Sequence, residues 1–130
     1  MNPNTPHIPI SWGELLDKVT ILEIKSEKLK SEKARINVLK ELSQLNDFSK
    51  LALLDQEIAS LKIDLLTVNK KLWDIEDRIR YKEASKEFDS EFISLARAVY
   101  KTNDFRAGIK KKINEILASD LVEEKSYVEY

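Results

Sequence analysis

Apolar residues recur along this chain at helical spacing, and the clearest run lies in its middle. Leu51, Leu54, Ile58, Leu61, Leu65, Val68, Leu72, Ile75 and Ile79 alternate steps of three and four without a miss. That is the seam of a coiled coil, flanked by Glu57, Asp64, Lys71 and Arg78 on one side and Asp55, Lys62, Asn69 and Glu76 on the other. A second row, Ala52, Ala59, Leu66 and Trp73, widens the apolar face and predicts contact with a third element. Upstream, Ser11-Trp12-Gly13-Glu14 has the spacing of a capping box, in which the Ser11 hydroxyl caps the Glu14 amide and the carboxylate reaches back. Leu15, Leu22, Leu29 and Ile36 then recur every seven residues, and Leu39, Leu42 and Leu45 carry the face to a turn near Asn46 and Asp47. Two helices of about 35 residues, each about 50 Å long, are therefore expected to pair as an antiparallel hairpin.

After a break near 84–89, Phe88, Phe92, Leu95 and Val99 predict a third helix. Thr102-Asn103-Asp104 offers capping chemistry, and Phe105, Ile109, Ile113 and Ile116 mark a fourth that ends near 118–120. The expected fold is all-α: a long antiparallel, coiled-coil-like hairpin with two shorter C-terminal helices packed on its open end. The chain divides into an extended arm over 1–10, one helical domain over 11–120 and a tail over 121–130, whose apolar members Leu121, Val122, Tyr127, Val128 and Tyr130 favour docking. The stretch Lys25 to Arg35 is mostly charge, which predicts a thinly covered arm or pairing with another protomer.

Composition narrows the chemistry. The 130 residues carry 22 Lys and Arg against 23 Asp and Glu, a net charge of -1 that disfavours general nucleic-acid binding, and the run Lys110-Lys111-Lys112 reads as a solvated face. All three prolines lie in the first ten residues. No cysteine occurs and His7 is the one histidine, which leaves no thiolate or multi-histidine metal site, no metal or cofactor to expect, and no Ser-His-Asp triad. Neither a signal peptide nor an apolar run long enough to span a membrane is present, and a cytoplasmic protein is expected.

Polar residues nonetheless align beyond what a plain scaffold needs. Glu14, Lys18 and Lys25 share one stripe of the first helix, Asn69, Trp73, Glu76 and Arg80 a stripe of the second, and Arg106, Lys110 and Asn114 a third. Only five arginines accompany 17 lysines, and Arg78, Arg80, Arg97 and Arg106 fall in the C-terminal half, where a forked contact is the reason to prefer arginine. Glu14, Lys18, Trp73, Glu76, Arg80, Arg97, Tyr100, Asn103, Arg106 and Lys110 are thus candidate ligand-binding residues. No complete catalytic constellation stands among them, and no catalytic residue is assigned. A helical site of arginines and carboxylates is loosely similar to chorismate mutases over Ile58 to Arg78, but only in apolar spacing, which fits any coiled coil.

Several strings carry a closer resemblance: Ile10 to Lys25 (ISWGELLDKVTILEIK), Val68-Asn69, Leu72 to Arg80 (LWDIEDRIR), Leu95 to Tyr100, Asn103-Asp104, Arg106-Ala107, and Glu123 to Tyr127 (EEKSY). Over nearly the whole chain they resemble an uncharacterised bacterial family of short all-helical proteins, a domain of unknown function. That resemblance implies relatives and no activity, substrate or cofactor beyond a loose association with surface glycan assembly. Two readings follow. The first is a non-enzymatic helical interaction or oligomerisation module, a homodimer or a partner of another protein. The alternative is a binder, or an enzyme, of a small anionic metabolite or glycan precursor at the Arg/Lys/Glu cluster.

Overall fold

A computed structural model describes residues 4–130; the first three residues of the expected arm lie outside the described residues. The described part is all helical: α1 (Trp12–Lys28), α2 (Glu32–Ser49), a short 3-10 turn (Ala52–Leu54), α3 (Gln56–Ala84) and α4 (Ser90–Ile116). Each helix start is chemically marked. Ser11 Oγ accepts the Glu14 N–H, Ser31 Oγ that of Ala34, Asp55 those of Glu57 and Ile58, and Asp89 that of Phe92. Only half of the expected capping box forms, because the Glu14 carboxylate turns to Lys110 instead.

Two expectations are corrected. The first long helix is broken at Leu29 to Ser31, where Leu29 is extended (ψ 133°) and α2 folds back on α1. Arg35 Nε donates to the Ser26 carbonyl at 3.1 Å and Lys18 meets Glu41 at 3.1 Å across this turn. The charged stretch gives a continuous helix nothing to bury, whereas folding back buries Val38. Conversely, the two expected C-terminal helices are one, 27 residues long, and α4 runs unbroken through 102–104. Thr102 is buried in mid-helix, Asn103 accepts from Arg106, and Asp104 accepts from Tyr130. Burial, an i,i+3 bond within the helix and a contact with the tail have in turn taken the side chains that would otherwise cap a helix.

The long hairpin is therefore α3 with α4, and not the first two predicted helices. Ile58, Leu65 and Ile75 of the predicted seam are buried, whereas Leu51 and Leu54 precede α3 and stand 81% and 77% exposed. Both α3 and α4 end in the same motif. Glu87 N–H bonds the Lys82 carbonyl and Lys86 N–H that of Glu83, and Ser119 and Ala118 repeat this on Asn114 and Glu115. Lys86 (φ 54°) and Ala118 (φ 49°) hold the left-handed position that glycine usually takes. At the tip, Lys82 is gripped by Glu87, Asp89 and Glu91 at 2.9–3.2 Å.

Against the other end of this hairpin lies α1, antiparallel to α4, and Leu16, Ala52, Ile58, Leu65 and Ile113 form the common core. Burying side chains of this size stabilises by about 1.5–3 kcal/mol each. The tail leaves α4 without further helix and runs back along it. Ser119 Oγ accepts from the Trp12 N–H at 3.3 Å, Glu123 reaches Lys110, and Tyr130 reaches Asp104 with its ring 5.3 Å from that of Tyr100.

Candidate functional site: a cleft backed by a buried carboxylate

The site begins with a glycine. Gly13 sits in the first turn of α1, where its N–H donates to Asn114 Oδ1 at 2.7 Å and an added Cβ would stand 2.7 Å from the Lys110 carbonyl oxygen. Only a residue without a side chain permits that approach of α1 to α4. One turn further along α1, Asp17 is brought into the interface and is 1% exposed. Both its oxygens are engaged by Arg106, with Nε donating to Oδ1 at 2.9 Å and Nη2 donating to Oδ2. Asn69 of α3 donates to Asp17 Oδ1 and to Thr20 Oγ1, each at 2.9 Å, and Thr20 donates to the Asp17 carbonyl at 2.7 Å. Lys110 Nζ lies 3.7 Å from Asp17 and 2.8 Å from both Glu14 and Glu123.

Burial pushes the Asp17 carboxyl up, but hydrogen bonds from Arg106 and then Asn69 outweigh it and hold the group below its ordinary value. Its own hydrogen bond to Asp17 holds Arg106 above the ordinary value. Burial pulls Lys110 down, yet Glu123 and Glu14 raise it on balance. The network is thus locked in its ionised form, a fork-on-carboxylate pair that lysine could not reproduce.

Beyond Thr20, the ion pairs of α1 run to α3, from Glu23 to Lys62 at 2.7 Å and from Glu27 to Lys70 at 3.9 Å. A cavity of about 440 Å³ lies among α1, α3 and α4, lined by Ile21 and Ile24 of α1, by Asn69, Leu72, Trp73, Glu76, Asp77 and Arg80 of α3, and by Asn103 and Arg106 of α4. Glu76 and Arg80 pair at 3.3 Å on its rim. The lining combines an aliphatic and indole wall with two carboxamides, two carboxylates and two guanidinium groups. Such a mixture anchors an apolar face and reads polar groups on the rest of a ligand.

Five of the ten predicted site residues line this cavity: Trp73, Glu76, Arg80, Asn103 and Arg106. Glu14 and Lys110 form the ion pair that adjoins Asp17. The remaining three stand apart: Lys18 turns to Glu41 of α2, Arg97 is exposed on α4, and Tyr100 packs edge-on against Tyr130 of the tail. Sequence reasoning left Asp17 out of the binding residues, and it set Asn69 on the polar rim of the seam and on the stripe with Trp73, Glu76 and Arg80 without naming it a binding residue. The available signal was a polar residue on an apolar stripe, since Asp17 lies among Leu15, Leu16 and Val19, and Asn69 follows Leu65 by one turn. Among the described residues no group of three or more His, Cys, Asp or Glu is arranged to hold a metal ion, and no helix is long and apolar enough to cross a membrane.

Comparison with known proteins finds no match among curated proteins and none among solved structures. A family match extends from residue 7 to residue 129, across the buried network, the cleft and the tail, and the chain belongs to the family of unknown function DUF6165.

Proposed function

We propose that the chain is a cytoplasmic binding module whose cleft between α1, α3 and α4 takes a small polar molecule, an anionic metabolite or a glycan precursor by class. One observation carries this reading. Two of the side chains that line the cleft, Asn69 and Arg106, are held by Asp17, a carboxylate withdrawn from water at a cost of several kcal/mol before its partners are counted. Solvated salt bridges on a helical scaffold need no such backing. Most of the ionisable groups around the cleft are paired with one another, Glu76 with Arg80 and Asp17 with Arg106, which suits recognition better than proton transfer. The absence of cysteine supports a reducing compartment.

Native mass spectrometry of freshly purified protein tests the reading. A small molecule retained by the natural chain and lost from Trp73→Ala, with the helical circular dichroism unchanged, is expected. Loss of the reading follows if no mass is retained and no member of a metabolite library moves the Trp73 indole resonance.

A second reading, a self-associating or partner-binding helical module, has its own support. Phe48, Leu51 and Leu54 cluster in sequence where α2 gives way to α3 and are 60%, 81% and 77% exposed. Light scattering behind size exclusion decides it. A dimer that dissociates in Leu51→Glu with Leu54→Glu supports self-association, and a chain that stays monomeric at the highest concentration reached removes that half of the reading.

A further inference from the structure

The hydrogen-bonding pattern of the cleft is set by the groups behind it. Asn69 has two amide N–H donors, and both are spent, on Asp17 Oδ1 and on Thr20 Oγ1. An ionised carboxylate only accepts, so the amide cannot turn over without losing that bond. Among the described residues nothing donates to Asn69 Oδ1, and no fully buried side-chain polar atom lacks a partner, so this oxygen is accessible although its residue is only 5% exposed. Asn69 lines the cleft, and the cleft is where a lone acceptor of this kind is reached. On α4, Arg106 uses three of its five N–H donors, two on Asp17 and one on Asn103 Oδ1, and keeps two. Asn103, its oxygen engaged, keeps both amide donors.

One end of the cleft therefore presents an immovable acceptor beside a set of donors, and the charge of its guanidinium is already matched by Asp17. A carboxylate can satisfy the donors but sets its own lone pairs against Asn69 Oδ1; a phosphate keeps a P–OH to donate there, yet either anion gains little from an arginine already neutralised by Asp17. A hydroxyl both accepts and donates, and one such group satisfies Arg106 or Asn103 together with Asn69. Further along α3, Glu76 and Asp77 extend the row of acceptors about 10 Å from Asn69, two helical turns away. Arg80 pairs with Glu76 there, so two carboxylates and one guanidinium leave that end net negative, which disfavours anions while the carboxylates take hydroxyl donors. Between the two ends stands Trp73, whose flat apolar face with Leu72 suits the C–H face of a compact ring.

We infer that the cleft selects a neutral, polyhydroxylated small molecule with one apolar face and discriminates against simple carboxylate and phosphate anions. This rests on the ligand-binding reading of the cleft and chooses between the two ligand classes it leaves open.

The test is a nuclear magnetic resonance titration of the full ¹⁵N-labelled chain with a panel of neutral monosaccharides and inositols, and in parallel with sodium phosphate and sodium acetate at matched ionic strength. The expected result is saturable movement of the Trp73 indole, Asn103 amide and Arg106 Nε signals with at least one neutral probe and with neither salt. Asn103→Asp keeps the acceptor for Arg106 but removes the donors, and it is expected to weaken that probe at least tenfold with the melting temperature unchanged. Saturation by phosphate or acetate overturns the inference while the binding reading stands. Undiminished affinity in Asn103→Asp also overturns it. Cleft signals that no probe moves, together with no retained mass in native mass spectrometry, overturn both.

Discussion

Gly13 and Gly108 are the chain's two glycines, and their surroundings predict opposite responses to the same substitution. A Cβ at Gly13 would meet the backbone oxygen of Lys110 at 2.7 Å, and the backbone of a packed helix cannot step aside as a flexible side chain can. Gly13→Ala is expected to destabilise by about 1–3 kcal/mol, the usual range for overpacking, because α1 must lift from α4 and loosen Asp17. At Gly108, inside α4, an added Cβ meets nothing within 4 Å. Gly108→Ala is expected to stabilise by about 0.5–1 kcal/mol through reduced unfolded-state freedom. Urea denaturation of both variants checks the pair, and equal effects would contradict the geometry. Glycine content alone does not distinguish these positions, since one is special only because another helix lies against it.

Among elements, the Asp17 network decides how α1, α3 and α4 are held together. Asp17→Ala strands Arg106, while Lys110 keeps Glu14 and Glu123, and is expected to cost about 3–5 kcal/mol, with Arg106→Ala adding much less on that background than alone. The pH dependence follows from the direction of each shift. The Asp17 value is depressed on folding, so its contribution is complete above the unfolded value of about 3.9 and is lost as pH falls through the folded value. Glu123, Asp89 and Glu91 are depressed too, and act on the same side with less weight because they lie nearer solvent. Lys110 is raised, so its contribution is present below the unfolded value and is lost only as pH rises through the folded one. Urea midpoints should therefore be flat from about pH 5 to pH 9 and fall in acid, and Asp17→Asn should flatten the acid limb. Helix periodicity predicted helical structure throughout this network and the extent of α3 closely, but not the bounds of α1 and α4. It missed the break at Leu29 to Ser31 because Leu29 keeps the heptad, and it inserted a false break at Thr102 to Asp104 because capping residues look alike whether they cap or reach across.

At the scale of the whole molecule, helix cover is uneven. Near the core, α1 joins α3 and α4, whereas toward the tip, around Lys82 and Glu91, the hairpin stands on a seam of two helices and surface ion pairs. Native-state hydrogen exchange is expected to follow that gradient. The slowest amides should lie in α1 near Leu16 and in α3 near Leu65, residues 76–99 should exchange faster, and the tail should exchange first. Deleting 121–130 is expected to cost about 1 kcal/mol or less, because its ties are a few polar contacts made by exposed tail residues and the buried Lys110 retains Glu14. A loss of several kcal/mol would instead make the tail part of the core.

Local pattern was enough for an all-helical chain, the start of α1 at Ser11, the part of the Leu51 to Ile79 seam that lies within α3, and the break near 84–89. These follow from periodicity and capping, which act over a few residues. Tertiary structure alone decided that α2 folds back on α1, that α3 and α4 form the hairpin, and that Glu14, Asp17, Asn69, Arg106 and Lys110 meet. The reason is physical. A charged side chain at helical spacing has the same local pattern whether it faces water or a partner from another helix, and only the close approach at Gly13 settles that Asp17 is the one withdrawn from solvent.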